Sequence, residues 1–115
     1  MPIREWHLRI LDMLDCIGKA QAYTKGMNRD AFARDTKTVD AVIRNIEIIG
    51  EAARHVPKRI NEKYPDIRWI DIRGMRNLVA HGYFGIDLNI VWHVATVDMI
   101  ELETQLKNLR AAEGF

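Results

Sequence analysis

The chain of 115 residues contains no serine at all. Every mechanism that needs a serine hydroxyl as nucleophile is thereby excluded. There is one cysteine, Cys16, so no disulfide can close within the chain. That scarcity fits a reducing compartment, and the cytoplasm is the expected location. Gly18, Gly26, Gly50 and Gly74 stand alone, which leaves no glycine-rich loop to cradle a phosphate. His7, His55, His81 and His93 are scattered and share no metal-ligand spacing with Cys16. Neither a metal nor another cofactor is expected. No apolar run approaches the roughly 18 residues that cross a bilayer. No signal-peptide core follows Met1-Pro2-Ile3-Arg4-Glu5-Trp6.

What is present is a near-balance of charge, net +1, that hides an uneven distribution. Residues 54–76 carry 7 basic side chains (Arg54, Lys58, Arg59, Lys63, Arg68, Arg73, Arg76) against 3 acidic ones. A local stripe of this kind suits a polyanion such as RNA, and equally a solvated surface.

Apolar residues recur at three- and four-residue steps, and no alternating stretch or Asn-Gly hairpin turn interrupts them. Ile3, Trp6, Ile10, Met13, Leu14 and Ile17, widened by Leu8 and Leu11, predict a first helix that packs on two sides. Thr24-Lys25-Gly26-Met27-Asn28 breaks it. A short helix over 29–34 follows. Asp35 and Thr36 are cap candidates for a long helix to about Val56, with Val39, Val42, Ile43, Ile46, Ile49, Ala53 and Val56 inward. On its other face Glu47 and Glu51 repel at helical spacing, which asks for a cation from elsewhere, such as another subunit. Pro57 to Tyr64 reads as a short helix closed by Pro65. Asp66 to about His81 reads as a further helix, with Trp69, Ile72, Met75 and Val79 apolar. Asp87 is the expected cap of a last helix, Leu88 to about Leu109, lined by Val91, Val94, Ala95, Leu102, Leu106 and Leu109. The expectation is one all-α domain over residues 1–115, a bundle of four to five helices. Cys16, Trp69 and Trp92 are expected in the core, and Asp98 as a paired structural carboxylate.

One segment concentrates chemistry: Arg73-Gly74-Met75-Arg76-Asn77-Leu78-Val79-Ala80-His81-Gly82-Tyr83-Phe84-Gly85. On a continuing helix Asn77 and His81 share a face one turn apart. Arg76 and His81, five apart, diverge by about 140° on a regular helix. They converge only if the helix ends near His81 or a second copy completes the site. A histidine with pKa near 6.5 suits transfer of the ribose 2′-hydroxyl proton or protonation of a leaving 5′-oxygen. An arginine holds a phosphate bidentately and stabilises the charge that builds on it. One histidine does not serve easily as base and acid in the same step, and a symmetric dimer supplies the second.

Here the chain resembles the HepT-like toxins of the HEPN superfamily. The motif of arginine, four residues, histidine, one residue, tyrosine stands as Arg76 to Tyr83, with the polar residue after the arginine present as Asn77. Arg44 to Ala53, Trp69 to Gly74, Tyr83-Phe84-Gly85-Ile86-Asp87 and Val91-Trp92 extend the likeness to nearly the whole chain. The resemblance implies a homodimeric helical bundle and a metal-independent endoribonuclease, the toxin of a toxin–antitoxin pair. It implies Arg76 and His81 as catalytic residues, with Asn77 and Arg73 in support on the phosphate. It also implies RNA as substrate and an MntA-like nucleotidyltransferase as antitoxin, in a larger complex, which silences the toxin by placing AMP on Tyr83. The alternative is a non-catalytic helical dimer that binds the nucleotidyltransferase or presents it with a substrate. RNA cleavage that depends on His81 separates the two.

Overall fold

The computed structural model describes residues 5–75, 77 and 85–115. Every regular element among them is helical. Helix α1 (Trp6–Thr24) buries Ile10, Met13, Cys16, Ile17 and Ala20. It ends in the predicted break. Lys25 has φ −56° and ψ 128°, and Gly26 has φ 79°. With the Met27 N–H donating to the Thr24 carbonyl at 3.0 Å, this is a type II turn, which needs a positive φ at its third residue.

Helix α2 (Arg29–Arg34) starts on Asn28, whose side chain accepts from the Ala31 N–H at 2.8 Å. Its Phe32 is fully buried and packs at 5.2 Å on the ring of Trp92. Asp35 caps helix α3 (Thr36–Arg54), accepting from the Thr38 N–H at 3.1 Å, as the sequence predicts. That bond holds the Asp35 carboxyl below its ordinary range. All seven predicted inward residues of α3 and its exit are buried. Glu51 lies 3.7 Å from Arg54 and 3.3 Å from the His55 ring, so one cation for this carboxylate comes from its own helix end.

Helix α4 (Lys58–Lys63) follows Pro57, and helix α5 spans Trp69–Gly74. The helix predicted from Asp66 begins three residues later. The backbone between α4 and α5 has other partners. The Trp69 indole N–H donates to the Tyr64 carbonyl at 3.0 Å, and the Gln105 amide donates to the Asp66 carbonyl at 3.0 Å. Carbonyls held by side chains do not propagate a helix.

Helix α6 (Leu88–His93) is capped by Asp87, which accepts from the Asn89 N–H at 2.9 Å. The predicted last helix then departs from regularity. Val94–Asp98 is a π-helical turn, and helix α7 runs Met99–Glu113. The Thr96 hydroxyl donates to the Trp92 carbonyl at 2.7 Å inside this turn, and such a competing bond loosens the backbone ladder. Gly114, with φ 79°, closes α7.

Helix α1 packs against α3 on one side and against the π turn and α7 on the other, so its wide apolar surface is covered twice. Helix α5 packs on α3, and α2 bridges α3 and α6. The buried side chains of these elements form one cluster. At about 1.5–3 kcal/mol for each fully buried aliphatic side chain, this cluster is the main stabilising term. Cys16 sits inside it, 5% exposed.

Candidate functional site

The segment with the arginine and histidine is pinned at both ends. On the incoming side, Trp69 and Ile72 of α5 are buried, and the Met75 N–H donates to the Ile72 carbonyl at 3.1 Å. On the outgoing side, Ile86 packs on the core and Asp87 starts α6. Of the expected site residues, Arg73 is half-buried on α5 and Asn77 is helical and exposed. Arg76, His81 and Tyr83 lie outside the described residues, as do Val79, Gly82 and Phe84.

The basic stripe is largely engaged. Arg54 pairs with Glu51, Lys58 with Glu62 at 3.8 Å, Lys63 with Glu113 at 2.7 Å and Arg68 with Asp71 at 2.8 Å. Arg59 lies over the Trp6 ring at 5.8 Å. Arg73 has neither an ion pair nor a ring contact among the described residues. Exposed pairs of this kind contribute little to stability. They do neutralise the stripe, so its charge is less available to a polyanion than the residue count suggests.

Two hollows flank α5. A cleft of about 270 Å³ between α5 and the last helices is mostly apolar, with Arg68, Asp71 and Asp98 at its edges. Asp98 pairs with His93 at 3.4 Å, the structural carboxylate expected from sequence. The π turn produces that contact by bringing residues five apart onto one side. On the other side, an open groove of about 730 Å³ runs between α4 and α5. Lys58, Asn61, Arg68, Ile70 and Arg73 are among its lining residues. Sequence reasoning reached the three cations through the charge count. Asn61 carried no signal.

The remaining candidates are structural. Burial, and then the neighbouring Asp15, push the Cys16 thiol up, which disfavours the thiolate. Trp69 is buried and hydrogen-bonded, and Trp92 is half-buried against Phe32. At the far end, Glu113 receives hydrogen bonds from Lys63 and Tyr64. The Lys63 bond, the largest influence, holds the Glu113 carboxyl below its ordinary range.

A family model described as ribonuclease HepT-like matches residues 13–109. The chain belongs to the HepT-like ribonuclease family. Among its relatives, the provisionally named RNase MJ0125 of Methanocaldococcus jannaschii is 35% identical over 109 residues, covering 95% of this chain and 94% of the relative. A protein of Thermococcus cleftensis named "Probable ribonuclease HepT" is 33% identical over 99 residues, covering 86% and 90%. No solved structure matches the chain. The HepT-like match spans the whole segment from Arg73 to Gly85 and both helices that hold its ends. No helix among the described residues is long and apolar enough to cross a membrane.

Proposed function

We propose that this HepT-like chain is a metal-independent endoribonuclease that acts as the toxin of a toxin–antitoxin pair. The observation that carries the reading is the family match, whose range 13–109 includes residues 73–85. There Arg76, His81 and Tyr83 stand in the spacing that the resemblance attaches to HepT-like toxins. Arg76 binds the scissile phosphate and stabilises its transition-state charge. Arg73 and Asn77 support it, and the lack of an ion pair on Arg73 among the described residues leaves that cation available.

His81 takes the proton of the 2′-hydroxyl, and the 2′-oxygen attacks phosphorus. The bond to the 5′-oxygen breaks, and a second His81 from a homodimeric partner returns a proton to that oxygen. The products are a 2′,3′-cyclic phosphate and a free 5′-hydroxyl. The antitoxin is a nucleotidyltransferase of the MntA type. The Tyr83 phenol oxygen attacks the α-phosphorus of ATP, pyrophosphate leaves, and AMP remains on the tyrosine. The added negative charge occupies the anion site beside Arg76 and repels RNA.

Growth of cells expressing the chain tests the reading. Wild type is expected to arrest growth and His81→Ala to be harmless. Tyr83→Phe is expected to arrest growth even with the nucleotidyltransferase co-expressed. Arrest by His81→Ala equal to wild type contradicts the catalytic assignment. Silencing of Tyr83→Phe by the nucleotidyltransferase contradicts the modification.

A further inference from the structure

We infer that the open groove between α4 and α5 is a binding track for single-stranded RNA. The inference rests on the ribonuclease reading for its substrate class and on the groove itself for its location.

Three features of the groove point to a nucleotide ligand. The first is charge. Lys58, Arg68 and Arg73 line it against Glu62 and Asp71. The two carboxylates are taken up by Lys58 and Arg68, so the cation left over is Arg73. Arg73 is three residues before Arg76, a spacing that shares a face on any continuing helix.

The second feature is an unmatched amide. Asn61 lines the groove, and its Oδ1 is buried with no donor. Leaving such an acceptor without a partner is destabilising. The side chain as a whole is half-buried, so a rotamer change that turns the oxygen into the groove lets a ligand supply the donor. RNA offers donors at every base and at the 2′-hydroxyl, and an amide is a common reader of base edges. The third feature is apolar surface. Ile70, 78% exposed, is the most exposed large apolar side chain described and stands on the same groove. It gives a base a face to rest on, beside a Trp69 indole locked by its bond to the Tyr64 carbonyl. A cation for phosphate, an amide for base or ribose and an apolar ledge are what a single strand presents partners for.

The test is binding of a labelled single-stranded RNA of about 12 nucleotides, within the range a groove of this kind accommodates. Affinity is read by fluorescence anisotropy across a salt series. Arg73→Gln is expected to weaken binding about ten-fold at low salt and to lower the salt slope by about one. Asn61→Leu is expected to weaken binding about five-fold, equivalent to one lost hydrogen bond. Its thermal stability should hold or rise, because the unmatched acceptor is gone; a purely structural asparagine would lose stability instead. Lys107→Gln, a cation on α7 paired with Glu103, removes the same charge away from the groove and should leave affinity within about two-fold.

RNA affinity unchanged in both groove variants overturns the inference, as does equal weakening by Lys107→Gln. Wild type that binds RNA through the groove but never cuts it leaves the track standing and removes the ribonuclease reading. Wild type that cuts RNA with the groove variants still binding normally does the reverse.

Discussion

Two ends of the same basic stretch are built differently. From Arg54 to Lys63 the cations are matched by the chain itself: Arg54 by Glu51, Lys58 by Glu62, Arg59 by the Trp6 ring, and Lys63 by Glu113. That end is closed further by Phe115, whose ring meets Trp6 at 5.6 Å. Around α5 the pattern loosens. Arg68 has its carboxylate, but Arg73 has none among the described residues, and Ile70 stands in solvent. Across the groove on α4, Asn61 keeps an unmatched oxygen. The contrast teaches that a charge count reads a surface poorly. Pairing within the fold decides how much of that charge is left for a ligand.

The contrast can be broken from either side. The largest effect on stability belongs to the core that carries both ends. Ile46→Ala, at a fully buried position of α3, is expected to cost about 2–5 kcal/mol in urea unfolding. A cost under about 1 kcal/mol would mean that α3 is not packed as described. Next comes Asp35→Ala, which removes the α3 cap and should cost about 1 kcal/mol by the same measurement.

The smallest effect lies at the closed end and shows best as pH dependence. The Glu113 carboxyl is lowered on folding, so its contribution is fully present above the ordinary carboxylate range and fades as pH falls through its folded value. Thermal melts should therefore show wild type losing more stability than Glu113→Gln between about pH 5 and pH 3, with the two curves converging in acid. Parallel curves would show that Lys63 and Tyr64 do not hold that carboxyl in solution.

Much of the fold was legible because it follows from spacing. The inward set of α3, the Asp35 and Asp87 caps and the turn at Gly26 each rest on a local rule. Three things were not legible. Asp66 to Arg68 is not helical because Trp69 and Gln105, one of them 39 residues away, take its carbonyl neighbourhood. The π turn leaves the apolar pattern of the last helix intact, so periodicity passes over it. The neutralisation of the basic stripe depends partly on Glu113, which sequence distance hides from Lys63. At the site, residue types and spacing singled out the segment 73–85, and the resemblance gave roles to Arg76, His81 and Tyr83, with Arg73 and Asn77 in support. Only the last two fall among the described residues. The groove beside them needed three dimensions, because nothing in the sequence marks Asn61.

The most direct measurement is cleavage of RNA in EDTA by purified wild type and His81→Ala, with the new ends identified. Wild type is expected to leave 2′,3′-cyclic phosphate ends, and the variant to lose at least about a hundred-fold in rate, the usual worth of a proton-transfer group. Cleavage that survives in His81→Ala, or that needs a divalent metal, would contradict the proposed mechanism.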